Sequence, residues 1–280
     1  MQKIDLASYP VVPTIDDHIL VIYQEGVRKG NNLQVFSKVG DCMTSTVDFM
    51  QPFAGSDYKL GDYATLAATI KYFAGVPARG SKAVAPDNYD SFANPGLAAV
   101  SGFNAATVQD PVLADPKVCT GNESSLTCEY RVSKPGIAVI MFGTNDIKSI
   151  EAKDFDLYLR RVVVETINDG IIPVLSTFPT QPGLEDRSLL YNQVTVKIAT
   201  DYDIPLINLS LALKPLTHQG VDPANNTHMT KPANGNAGDL TADGLQYGFN
   251  MRNLVTLQTL AAVLQKVNPA LATPAATTAS

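Results

Sequence analysis

The stretch Lys38-Val39-Gly40-Asp41-Cys42-Met43-Thr44 follows the apolar run Leu33-Gln34-Val35-Phe36. The run reads as a buried strand. Gly40 lets the chain turn sharply at its end, and Asp41 suits a side chain that accepts from nearby backbone N–H groups in such a turn. Cys42 then stands at the carboxyl end of the strand, where open α/β sheets hold their ligands. A helical turn starting there would favour its thiolate, which predicts a thiol sensitive to mild oxidation. Taken alone, Cys42 equally suits a buried residue that fills space, so the surrounding chain has to decide.

Upstream, a helix is predicted from Ile15-Asp16-Asp17 to Gly30-Asn31-Asn32, with Asp16 or Asp17 as N-cap and Ile19, Ile22, Tyr23 and Val27 on one face. Downstream, short apolar runs alternate with helical patterns. Leu97–Val100, Gly136–Phe142, Ile171–Phe178 and Ile204–Leu209 read as strands. Helices are predicted over about 62–73, 155–167, 188–202 and 250–267. Gly136–Phe142 is continuously apolar, as a parallel strand covered on both faces should be. This alternation predicts an α/β fold, a three-layer sandwich with a mostly parallel five-stranded sheet and helices on both faces. Residues 1–32 read as an arm and helix packed on a single α/β domain, 33–268, followed by a flexible Ala/Thr/Pro tail, 269–280. Residues 77–96 form a long polar stretch expected to be a lid or pocket wall, and 214–248 read as irregular.

The chain has 280 residues, 45% of them hydrophobic and 17% charged, with a net charge of −6 and no long basic run. That balance fits a globular protein and argues against nucleic acid or an anionic membrane as the partner. No stretch reaches the roughly 18 apolar residues of a membrane span. Cys119 and Cys128 flank a short polar loop and are expected to close a hairpin-like disulfide, which leaves Cys42 as the odd thiol. The disulfide, with no signal peptide visible at Met1, predicts a mature extracytoplasmic or secreted chain. No His or further Cys lies at ligand spacing near the three cysteines, so no metal is expected. No Gly-rich phosphate-binding spacing follows a strand, and no cofactor is expected.

Three polar turns end three of the predicted strands: Gly40-Asp41-Cys42, Ser101-Gly102-Phe103-Asn104 and Gly143-Thr144-Asn145-Asp146. This ordered set resembles the SGNH (GDSL-type) hydrolase superfamily over about residues 33–265, with Cys in the nucleophile position in place of Ser. The resemblance implies a flavodoxin-like sheet and hydrolysis of ester or thioester bonds by acyl transfer, on a small-molecule or glycan ester. It implies Cys42 as nucleophile, with Asp41, Gly143 and Asp146 supporting the turns. Asn145 and Gly102 would be oxyanion donors beside the Cys42 N–H. The family's Asp-x-x-His block has two matches. Asn225-Asn226-Thr227-His228 offers Asn225 as orienter and His228 as base, whereas Asp243-Gly244-Leu245-Gln246 puts Gln in the His position. The first is preferred because only it supplies a titrating base. A thiol nucleophile, a His base and an orienting Asn make a working set for acyl transfer. The residues themselves leave other duties open: Asn145 and Asp146 suit helix caps, Gly102 suits a plain turn, and His218 and Asp222 are alternative base and orienter. The rival class is an SGNH-like surface module, catalytically inactive, that binds a glycan or a protein.

Overall fold

A computed structural model describes residues 4–79 and 89–269. Most of the 269–280 tail and the middle of the 77–96 stretch therefore lie outside the described residues. Four strands, β1 (Asn32–Gly40), β2 (Pro135–Met141), β3 (Ile172–Ser176) and β4 (Leu206–Ile207), form one parallel sheet in that order. The helices are α1 (His18–Lys29), α2 (Cys42–Ser45), α3 (Ala67–Phe73), α4 (Ser125–Ser133), α5 (Asp146–Ser149), α6 (Ala152–Asn168), α7 (Glu185–Asp201), α8 (Leu209–Leu213) and α9 (Gly248–Val267). Helices α1 and α3 pack with α9, while α6 pairs with α7 and α4 lies against β1. The predicted α/β sandwich is therefore present, with β2 buried along its whole length.

The fifth predicted strand, Leu97–Val100, shrinks to a single parallel bridge between Ala99 and Gly40. Two hydrogen bonds make it, Gly40 N–H to the Ala98 carbonyl at 3.0 Å and Val100 N–H to the Gly40 carbonyl at 3.2 Å. Pro95-Gly96 before the segment and Ser101-Gly102 after it leave no room for a longer ladder. The bridge still carries topological information. The segment second in the chain lies outside β1, and the third, β2, lies on β1's other side. The order therefore reverses at β1, which makes its carboxyl end the switch point of the sheet.

Three further expectations are corrected. Val27 is exposed; the helix instead buries Gly26, where an added Cβ would overlap the Gly170 carbonyl, so α1 packs directly on the turn after α6. Cys119 and Cys128 are bonded, but Cys128 sits on α4 and not in a hairpin. The region 214–248 contains an antiparallel hairpin, β5 (Val221–Asp222) and β6 (Asn225–Met229). The N-terminal arm is held by Asn208, whose Nδ2 donates to the Leu6 and Tyr9 carbonyls at 2.7 and 3.0 Å. Residues 89–96 are anchored as well, with Ser91, Phe92 and Asn94 buried.

One buried carboxylate joins several of these parts. Glu129 on α4 accepts from Ser37 Oγ on β1 at 2.6 Å, from Ser133 Oγ at 2.9 Å, from Leu97 N–H at 2.8 Å and from Arg79 Nη2 at 3.2 Å. Each donor stabilises the charge that burial would otherwise penalise. Removing one partner of a buried ion pair costs about 3–5 kcal/mol. Glu129→Ala is expected to lower stability by that order, read as a lower urea midpoint at unchanged slope.

Candidate active site

The site begins where β1 runs out. A Cβ on Gly40 would lie 2.9 Å from the Thr44 Cβ and would collide with the Met141 carbonyl, so only glycine lets the chain fold back this closely. Asp41 then caps α2: its Oδ1 accepts from Met43 N–H at 3.0 Å, and its carbonyl accepts from Thr44 and Ser45 N–H, both at 2.9 Å. Cys42 is the first residue of that short helix, half-buried and outside the disulfide. Burial, then the charge of Asp41, pushes its thiol up to about 11, against the pull of the Met43 and Cys42 N–H groups and of Lys148. Burial thus works against the thiolate that the helix start alone would favour. The helix is only four residues long, and its amides do not outweigh burial next to a carboxylate.

The second and third turns are stitched together. Asp146 is buried; its Oδ1 accepts from Ala105 N–H and its Oδ2 from Gly143 N–H, each at 2.8 Å. Burial raises its carboxyl to about 6 in spite of these donors. Asn145 donates from Nδ2 to the Phe103 carbonyl at 2.8 Å. An amide nitrogen carries two hydrogens, so the second remains for a ligand. Gly102 is exposed, and its N–H makes no hydrogen bond among the described residues. Asn104 closes its own turn, accepting from Ala106 and Thr107 N–H at 3.0 and 2.8 Å, and donates to Ser149 Oγ at 3.0 Å.

The hairpin adds a fourth part. β6 packs against α2, which brings the segment carrying His228 to the Cys42 turn. His228 is half-buried, and its imidazole makes no hydrogen bond among the described residues. Asn225 is exposed and turns to Thr227, accepting from its N–H at 3.2 Å and its Oγ1 at 2.6 Å. Asp222 accepts from Ala224 N–H at 2.9 Å. His218 is exposed on a strained turn with φ +52°. Gln246 is exposed and donates to the Ala242 carbonyl at 3.2 Å. The three turns therefore meet, and β6 joins them, while Cys42, His228 and Asn225 are not linked to one another by hydrogen bonds. No group of metal-ligating side chains occurs among the described residues.

Two participants escaped the sequence reading. One is Thr144, buried beside Asp41, where its hydroxyl favours the charged carboxylate although the two side chains miss good hydrogen-bond geometry. Arg252 on α9 is buried, and donates to the Met43 carbonyl at 2.6 Å and to Thr44 Oγ1 at 3.0 Å. Its signal was available: Phe249, Arg252, Asn253 and Thr256 recur at helical spacing, on the face that carries the apolar residues.

No family model and no curated protein matches the chain. Among solved structures it is similar to a proposed lipolytic protein of the G-D-S-L family from Desulfitobacterium hafniense, with 13% identity and a TM-score of 0.51 over 81% of this chain and 99% of that one. Matches also include an acetylxylan esterase from Geobacillus stearothermophilus, with 15% identity and a TM-score of 0.47 over 80% and 93%, and TesA, with 18% and 0.42 over 84% and 98%. The chain has the fold of the SGNH (GDSL-type) hydrolase superfamily.

Two measurements check the electrostatics. Cys42 alkylation by iodoacetamide is expected to climb about tenfold per pH unit from about pH 8 to about pH 10, whereas a thiolate already formed at pH 7 would give a flat profile. Burial raises the Asp41 carboxyl to about 7, against about 4 in the unfolded chain. The native state then holds the extra proton across that interval, so stability falls as pH rises through it. Asp41→Asn should remove this part of the fall, and its advantage in urea midpoint over the wild type should be larger at pH 8 than at pH 4.

Proposed function

We propose that the chain is an ester hydrolase that works by acyl transfer to Cys42. The observation that carries this reading is the convergence of the three strand-end turns at the switch point, cross-tied by Asp146 and Asn145, with β6 packed on the nucleophile turn. A thiol at about 11 cannot rely on spontaneous ionisation, so a base is required. His228 takes the Sγ proton as sulfur attacks the carbonyl carbon. The carbonyl π electrons move to oxygen, and that oxyanion accepts hydrogen bonds from the free Asn145 Nδ2–H, the Gly102 N–H and the Cys42 N–H. One such donor is typically worth about 3 kcal/mol in the transition state. Collapse expels the alcohol or thiol, which takes the proton from His228, and water releases the acyl group from sulfur by the same route. Asn225 orients the imidazole once its side chain leaves Thr227.

The substrate class is a small-molecule or glycan ester, or a thioester. The Cys119–Cys128 bond supports an extracytoplasmic setting. No described helix is long and apolar enough to cross a membrane.

A second reading is a catalytically inactive surface module that binds a glycan or a protein partner in this cleft. It is favoured by the imidazole of His228, which reaches neither Cys42 nor Asn225 by a hydrogen bond among the described residues, and by the raised thiol. Intact-mass analysis after exposure to p-nitrophenyl acetate separates the two. The hydrolase reading expects one transient acetyl adduct, absent from Cys42→Ala and from His228→Ala. No adduct, or labelling indifferent to His228→Ala, favours the binding module.

A further inference from the structure

Beneath the nucleophile turn lies a charge that no step above uses. We infer that Arg252 is a positioning residue for Cys42, acting from α9 through the backbone of α2 and through its positive charge. The geometry is specific. One guanidinium nitrogen, Nη1, holds the carbonyl of Met43, the residue after Cys42, at 2.6 Å. The other, Nη2, holds Thr44 Oγ1 at 3.0 Å. The guanidinium carbon lies 3.6 Å from the centre of the Phe49 ring, a cation–π contact that keeps the planar group in one orientation. Arg252 is 2% exposed, so water does not screen it.

The surrounding charges explain what this cation does. Asp41 uses Oδ1 on Met43 N–H, while its buried Oδ2 has no hydrogen-bond partner among the described residues. Its charge is offset by the Met43 N–H, by Arg252 through space and by the neighbouring Thr144 hydroxyl. The charged groups that act on Cys42 are Asp41 on its own turn and Lys148 from α5, with Arg252 coupled to it from α9; Asp146 from α5 acts on Asp41, and β6, which carries His228, packs on α2. Asp41 opposes ionisation of the thiol, and Arg252 pulls the other way on both Asp41 and Cys42. The two hydrogen bonds also fix α2, whose first residue would present both the attacking sulfur and one oxyanion N–H. A planar fork that holds a carbonyl and a hydroxyl together is a task lysine performs less well.

The bearing on turnover rests on Cys42 being the nucleophile, but the coupling itself is measured without any ester. Iodoacetamide alkylation of Cys42 is followed between about pH 7 and about pH 10 in the full-length wild type, Arg252→Lys and Arg252→Met. Loss of the cation in Arg252→Met should slow alkylation about tenfold below about pH 8, where Arg252 keeps its charge, and the two profiles should draw together toward about pH 10. Arg252→Lys should stay within about threefold of the wild type, because the charge is kept. Superimposable wild-type and Arg252→Met profiles, with Arg252→Met folded by circular dichroism, overturn the inference. Slowing of Arg252→Lys to the Arg252→Met level overturns the electrostatic role. Where Arg252→Met does not fold, Arg252→Gln takes its place, since it keeps side-chain donors for the Met43 carbonyl and Thr44 and loses only the charge; it should slow alkylation about tenfold below about pH 8. An Arg252→Gln profile that superimposes on the wild type overturns the coupling. An Arg252 dependence without an acetyl adduct would leave this inference standing and remove the hydrolase reading.

Discussion

The carboxylate of Asp146 is the constraint on which the site depends. It accepts one N–H from the third turn and one from the loop after the second. Two segments about forty residues apart in the chain are thereby held in one register at the sheet edge. A buried carboxylate with two backbone donors is costly to disturb, because losing either donor leaves a charge in a poorly solvating interior. The Asn145 amide depends on the same arrangement, since it is fixed on the Phe103 carbonyl of the loop that Asp146 holds.

Charge balance beneath Cys42 follows a different logic. Asp41 and Arg252 are both buried and attract each other without a direct hydrogen bond between them. Such an arrangement contributes little net stability, because desolvation of both ions consumes most of the attraction. Its effect is local: the field at the sulfur reflects two opposed charges held by separate elements. Burial lowers the Arg252 guanidinium to about 9, which leaves it charged at neutral pH.

Much of this was legible in the residues. β2 announced itself as the continuously apolar run Gly136–Phe142, and the three turns were visible as Gly-containing polar blocks after apolar runs. What escaped depended on packing. The Leu97–Val100 run has strand composition, but the turns at either end reduce its pairing to one bridge. β6 has no alternation of apolar residues, since only Met229 on it is buried, so its pairing with β5 left no periodic trace. The upward push on the thiol escaped for a similar reason: burial at Cys42 is a property of the assembled site, while the helix start that suggested a thiolate is local. Arg252 was readable as a polar residue on an apolar face, yet its partner on the opposite element was not.

Arg252 reaches Met43 across 209 residues of chain, and Asn253 reaches the Asp48 carbonyl across 205. The turn that carries Cys42 is therefore completed by the final helix. A contact this distant in sequence forms only after a large loop has closed, which makes it a late event in folding. During synthesis, where the N-terminal parts are made first, β1 and its turn are exposed long before α9 exists. The Cys42 turn is thus encoded early, yet its contacts with Arg252 and Asn253 wait for the C-terminal helix.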